Sequence, residues 1–315
     1  MSEVAIKYKP TTEMSHEDWL LERRNGIGGS DVAAILGLSR FRTALDVYFD
    51  KTDDEAAPIV ANARMIAGTR LEQVVAGWYK EDNKRKVRKD NKIRLHPDYP
   101  FLIANVDRLI SPLNGEGVGL LECKCTNGFY AKTWEYEIPP EYFCQMQHYM
   151  NVLNLQWGVF AILIDGWDFR THECRRDDEF IKLMTDELTK FWNMHVEAFI
   201  APEPQNEADI LRLYPVHTKM MITASEEVTE SIGLLKLNKA SIKKLEVEEA
   251  KLTESIKLAL GEFEGFQDAN EEPLLTWAAT KDTQQLDKDA FKTKYPDLYT
   301  QFLITKPGSR RIRIF

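Results

Sequence analysis

A mixed α/β fold, α+β in layout with helices around a central mixed sheet, is expected for this chain of 315 residues. Three observations lead there. Helical and strand patterns mix through the first two hundred residues; two apolar strands, FLIANVDRLI and GLLECKC, flank the glycine-rich turn SPLNGEGVG; and beyond APEPQ the pattern turns helical over a long stretch. A hydrophobic content of 43% is enough for one large core or two smaller ones.

Taken in order, GIGGSDVAAILG reads as a glycine-rich turn feeding a short helix, capped by Ser30 or Asp31 and stopped at Gly37. A second helix over residues 59–80 places Gly68, Leu71, Val75 and Trp78 on one stripe. The two strands around SPLNGEGVG form an antiparallel hairpin. After the prolines at 139 and 140 a helix runs to Leu153, and QWGVFAILI is the next strand. DEFIKLMTDELTKFWNMHVEAFI is a long amphipathic helix. The proline-rich stretch behind it marks a boundary: a core over residues 1–205, a linker over 206–222 and an extension over 223–315. In that extension Val228, Ile232, Leu235, Ile242, Leu245, Leu252 and Ile256 recur at near-heptad spacing, so a helix over residues 225–261 carries an apolar stripe that needs a partner surface. The last fifty residues read as short strands and one helix, ending in SRRIRIF as an alternating strand.

No apolar run approaches the roughly 18–20 residues of a membrane span, and MSEVAIKYKP lacks the apolar middle of a secretory signal, so a cytoplasmic location is expected. The cysteines at 123, 125, 144 and 174 form no CxxC pair and read as free thiols. A net charge of -9 argues against a basic coat for nucleic acid. Local runs differ: KRKVRKDNKIR carries seven basic residues against one acid, and smaller basic clusters lie at Arg23 and Arg24, at Arg175 and Arg176, and at the C-terminus. Together they point to a confined anionic ligand.

In a strand, alternate side chains share a face, so Glu122 and Lys124 lie together while Cys123 and Cys125 lie opposite. The pair is either an idle surface ion pair or the lining of a site. With Asp107 on the paired strand, two converging carboxylates could hold a hard divalent cation such as Mg2+ beside a lysine. Glu72 sits at the margin of its helix's buried stripe and is a third available acid. Gln145 lies within a tyrosine stripe between Tyr142 and Tyr149, serving the core or positioning a water or phosphate. In RRNGIGGSD, glycines let backbone approach a phosphate, Ser30 adds a hydroxyl, and Arg23 could add a bidentate guanidinium. The spacing is neither a Walker loop nor GxGxxG.

The ordered set Arg23-x-x-Gly26-Ile27-Gly28-Gly29-Ser30-Asp31, Gly68-x-x-x-Glu72, Asp107, Glu122-x-Lys124 and Tyr142-x-x-Gln145-x-Gln147 resembles the YqaJ-type viral recombinase family. These are phage alkaline exonucleases related to lambda exonuclease, within the PD-(D/E)xK nuclease superfamily. The resemblance covers roughly residues 15–200 and implies a restriction-endonuclease-like core. Carried over by position, it implies that Glu72, Asp107 and Glu122 ligate metal with the Cys123 carbonyl as a further ligand. Lys124 becomes the catalytic lysine and Gln145 orients the attacking water. Arg23 and Ser30 hold a terminal 5′-phosphate, while Arg24 matches no such position. Val106 stands where the superfamily is named for proline. The implied activity is 5′-to-3′ digestion of double-stranded DNA ends with Mg2+ (Mn2+ able to substitute), leaving 3′ overhangs. The implied setting is a trimeric ring working beside a single-strand annealing protein in the host cytoplasm. A ring confines basic residues to a channel, which reconciles them with an acidic chain. The competing readings are a repair or restriction endonuclease of the same superfamily, and a non-catalytic DNA-binding protein on a nuclease fold.

Overall fold

A computed structural model describes residues 6–53, 62–112, 115, 117–306, 308 and 310–314. The chain divides into two compact units, Met1–Leu213 and Tyr214–Phe315.

The first unit opens with strand β1 (Tyr8–Pro10) and helices α1 (His16–Arg24), α2 (Gly29–Ile35), α3 (Ala44–Thr52) and α4 (Ala63–Asn83). Strands β2 (Val87–Arg88), β3 (Lys92–Leu95), β4 (Ile103–Ala104), β5 (Arg108–Ile110) and β6 (Gly119–Thr126) follow, then the short α5 (Gly128–Ala131) and α6 (Pro140–Leu153). Strands β7 (Trp157–Ile164) and β8 (Asp168–Arg175) and helices α7 (Asp178–Phe191) and α8 (Glu207–Leu213) complete it.

The central sheet runs β2-β5-β6-β7-β8. It is mixed: β6 and β7 are parallel, and the other neighbours are antiparallel. Every residue of β7 is buried, as expected for a continuous apolar run covered on both faces. Leu120, Phe160 and Ile162 pack with Met146, Tyr149 and Met150 of α6. On the opposite face Leu121, Val159, Ala161 and Leu163 pack with Val75, Ala76 and Tyr79 of α4. Gly158 lets α6 come this close, since a Cβ there would lie 2.5 Å from the Met146 sulfur. Burial along β6 fades from GLLE to the half-open CKCT. Glu122 is thus the last buried residue of the strand, and Lys124 stands in its half-open part. A smaller sheet, β1-β3-β4, lies within the same unit.

Several expectations are corrected. FLIANVDRLI is not one strand: β4 joins the small sheet, β5 the central one, and Asn105–Asp107 leave the ladder between them. The expected α2 caps lie inside the helix instead. Gly28 is the N-cap, and its N–H donates to Asp31 Oδ2 (3.0 Å); Gly37, with φ of +71°, ends the turn as expected. In α4 the buried positions are Val75, Ala76 and Tyr79, while a Cβ on Gly68 would meet open space. Residues 59–61 of the expected helix lie outside the described residues. The helix expected over DEFIKLMTDELTKFWNMHVEAFI is α-helical through α7 and closes in one π-helical turn, Trp192–Glu197. The stretch expected to be a linker contains α8, whose buried Asp209 accepts from the Thr43 hydroxyl (3.0 Å) and the Gln205 N–H (2.9 Å).

The second unit holds helix α9 (Glu226–Leu260), strands β9 (Gly265–Gln267) and β10 (Pro273–Thr276), and helices α10 (Lys288–Lys294) and α11 (Pro296–Gln301). Ser225 caps α9 by accepting from the Val228 N–H. At about 1.5 Å per residue its 35 residues span roughly 52 Å. Of the near-heptad residues, Val228, Leu245 and Leu252 are all about half exposed or more. Residues 310–314 are not a strand: no ladder pairs them, and Arg310 instead donates to the Tyr214 carbonyl.

Candidate active site

The site assembles on the α6 face of the sheet. Glu122 lies opposite Phe160 and Lys124 opposite Ile162, so both point to the face that α6 covers. Gln145, on the second turn of α6, meets them there. Its amide nitrogen donates to Glu122 Oε1 (2.8 Å) and the Tyr149 hydroxyl (2.9 Å), and its carbonyl accepts from Lys124 Nζ (3.0 Å). Lys124 Nζ also donates to Glu122 Oε1 (2.9 Å) and lies 4.8 Å from the Tyr142 ring centre. The pair on β6 is therefore not an idle surface ion pair, because Glu122 is only 5% exposed and every group in the knot has a partner. Gln145 uses both amide hydrogens and keeps one carbonyl lone pair for a water.

Asp107 joins from the neighbouring connection, where its carboxylate accepts the Cys123 N–H (2.8 Å). Leaving the ladder before β5 is what points this side chain at β6. Burial, then the Glu122 and Glu72 carboxylates, raise the Asp107 carboxyl well above its ordinary range. Burial works to lower the Lys124 ammonium, but Glu122 and Asp107 outweigh it and hold the lysine above its usual range. A carboxyl raised by carboxylate neighbours marks a concentration of negative charge that a hard divalent cation relieves, and carboxylates are oxygen donors of the right kind. Asp107 and Glu122 supply oxygen donors of the kind such an ion takes. Glu72 is differently engaged: Arg108, 5% exposed, donates to it and to the Asp107 carbonyl (2.7 Å). Among the described residues no three His, Cys, Asp or Glu side chains are gathered as a metal-holding group.

Arg23 and Ser30 come together as expected, Arg23 Nη2 donating to Ser30 Oγ (3.1 Å). The guanidinium is stacked over Trp19 at 4.6 Å, which fixes it. Below it Asp31 is buried, accepting from Gly28, from Arg42 (2.8 Å) and from Lys51 (2.9 Å), whose side chain is 2% exposed. Burial would raise the Asp31 carboxyl, but Lys51, Arg42 and Arg23 outweigh it and keep it far below the carboxylate range. Arg24 is structural, donating to the backbone carbonyls of Asp50 (2.7 Å) and Asp53 at the end of α3.

The two clusters are joined. A Cβ on Gly29 would lie 2.5 Å from the Tyr149 ring and 3.0 Å from Gln145 Cγ, so the glycine loop rests on the pair that orients Glu122 and Lys124. Sequence reasoning did not single out Arg108 or Trp19, and it gave Tyr149 only as a stripe neighbour of Gln145 and Asp31 only as a cap. Tyr149 stands four residues after Gln145 on one helix face, which is a usable signal. The pairing of Arg108 had none, because its partner lies thirty-six residues away. The cysteines are free, and burial pushes Cys144 and Cys174 up to about 11, so these thiols are inert.

Residues 18–156 match the YqaJ-like viral recombinase domain. An uncharacterized protein YqaJ of Bacillus subtilis (strain 168) is 33% identical over 300 residues, 91% of each chain. Among solved structures, an alkaline exonuclease from Laribacter hongkongensis is 25% identical, with a TM-score of 0.49 over 58% of this chain and 93% of that one. A phage related exonuclease from Haemophilus somnus is 14% identical, with a TM-score of 0.44 over 56% and 96%.

Proposed function

Because the chain belongs to the YqaJ family of viral-recombinase-like proteins, we propose that it is a Mg2+-dependent deoxyribonuclease, hydrolysing one strand of duplex DNA from its 5′ end and leaving a 3′ overhang. The observation that carries this reading is the continuous contact from Arg23 and Ser30, through Gly29 and Tyr149, to Gln145, Glu122 and Lys124. A cationic pocket for a terminal phosphate is thereby tied to the carboxylate–lysine cluster, and seating one phosphate places the next phosphodiester in register.

Asp107 and Glu122, with Glu72 and the Cys123 carbonyl, are assigned to hold the metal. When bound, the ion supplies Lewis acidity toward a phosphodiester oxygen and the attacking water; Mn2+ substitutes for it. Gln145 holds Glu122 and Lys124 in one geometry and turns its free carbonyl lone pair to the water. Lys124, kept charged by its carboxylate neighbours, offsets the negative charge that develops on the phosphorane-like transition state. Arg23 and Ser30 bind the 5′-phosphate. Assembly as a trimeric ring, a single-strand annealing partner and the host cytoplasm belong to the same proposal. No helix among the described residues is long and apolar enough to cross a membrane.

The test is digestion of linear and covalently closed circular duplex, each with Mg2+ or EDTA. Loss of the linear form alone, in Mg2+ alone, is expected. Nicking or cutting of the closed circle assigns the site to an endonuclease, and binding without cleavage assigns it to a non-catalytic protein.

A further inference from the structure

Arg108 is a buried cation that the proposed chemistry does not use. Its side chain is 7% exposed, on a strand of the central sheet, and its guanidinium is committed to Glu72 and to the Asp107 carbonyl. A buried guanidinium without a carboxylate is costly, and so is a cluster of carboxylates without a cation. Glu72, Asp107 and Glu122 bring three carboxyl groups into one cluster. Lys124 is already engaged by Glu122 and Gln145. Arg108 thus supplies the positive charge on the Glu72 side of the cluster.

We propose that Arg108 is a built-in counter-ion that competes with the divalent cation for Glu72: it holds Glu72 in the metal-free protein and gives it up when the cation binds. This inference rests on the metal-dependent reading above. Arg108 is then a positioning residue, setting the affinity of the cation and letting the site fold without one. The exchange also explains why three acids assigned to a metal are not gathered around one point while Glu72 remains paired.

The experiment measures Mg2+ binding by calorimetry, without DNA, together with melting in EDTA and in saturating Mg2+. The proteins are wild type, Arg108→Gln, Arg108→Lys, Glu72→Gln and Glu122→Gln. Arg108→Gln is expected to bind Mg2+ about tenfold more tightly, or ~1.4 kcal/mol. It should melt lower than wild type in EDTA and recover in Mg2+. Arg108→Lys keeps a cation and should stay near wild type in both measurements. Glu72→Gln, at a half-open position expected to fold, should weaken Mg2+ binding. Equal or weaker binding by Arg108→Gln, or equal melting losses with and without Mg2+, shows a purely structural ion pair and overturns the proposal. If Arg108→Gln does not fold, unchanged Mg2+ binding by Glu72→Gln overturns it. No uptake by wild type overturns both readings, and uptake unaffected by Glu122→Gln removes the cation from this site.

Discussion

Replacing Arg23 by alanine should remove the preference for one kind of DNA end. In the structure the Arg23 guanidinium is held on two sides, by the Trp19 ring at 4.6 Å and by Ser30 Oγ at 3.1 Å, so little side-chain freedom is lost when a phosphate binds. Ser30 is exposed, so its hydroxyl is open to a ligand. A charge-assisted bidentate contact contributes about 1.5–3 kcal/mol, which converts to a preference of roughly ten- to a hundredfold for a 5′-phosphate over a 5′-hydroxyl. The assay is the initial rate on two linear duplexes that differ only in that group, with wild type, Arg23→Ala and Arg24→Ala. Arg24 was the natural sequence control, but its hydrogen bonds to the Asp50 and Asp53 carbonyls give it a structural role. Arg24→Ala should lower the melting temperature and keep the ratio, whereas Arg23→Ala should collapse the ratio toward one. Equal rates on both ends in wild type would mean that RRNGIGGSD is a structural turn.

Lys124→Ala, Asp107→Ala and Glu122→Ala should each cut turnover by a thousandfold or so, about 4 kcal/mol of barrier, with DNA binding in Ca2+ retained; near-normal turnover in any of them would remove the hairpin from the chemistry. Gly29→Ala should lower activity and cost about 1–3 kcal/mol, because the new methyl meets the Tyr149 ring, and unchanged rates and melting would break the proposed link between the two clusters. Burial lowers the His148 imidazole to about 4 from an ordinary 6.5. The unfolded chain therefore takes up a proton between those values that the folded chain refuses. Stability should fall by about 3 kcal/mol as pH drops from 6.5 to 4, and His148→Gln should flatten that limb; an identical acid limb in the variant counts against it. Deleting residues after 222 should change the assembly state or abolish partner binding, since the apolar stripe of α9 is exposed within its unit, and sedimentation unchanged by the deletion would deny that role.

Much of this was legible in residues whose pattern is local. QWGVFAILI is apolar throughout because β7 is covered on both faces, and Pro140 and Asn154 bracket α6 by the rules for helix ends. Glu122 and Lys124 could be placed on one face from strand alternation alone. What stayed hidden depends on long-range partners. DFRTHECR has no apolar face, since β8 is an edge strand with a single buried residue, so its pairing with β7 leaves little mark on composition. FLIANVDRLI reads as one strand because nothing local announces that Asp107 must leave the ladder to receive the Cys123 N–H. Ser30 looked like a cap because serine is a good one, yet Gly28 takes that place and frees the hydroxyl for Arg23. The exclusion of Gly68 from the buried stripe follows from the position of α4 on the sheet, which helical periodicity alone does not determine.

The most direct test follows the two ends of one strand. A linear duplex labelled in turn at the 5′ and the 3′ terminus of that strand is digested in Mg2+ by wild type and by Glu122→Gln. The account predicts that wild type releases the 5′ label at once in a short product, that the 3′ label stays on a strand that only shortens, and that Glu122→Gln releases neither. Early release of the 3′ label, internal cuts, or undiminished digestion by Glu122→Gln would contradict it.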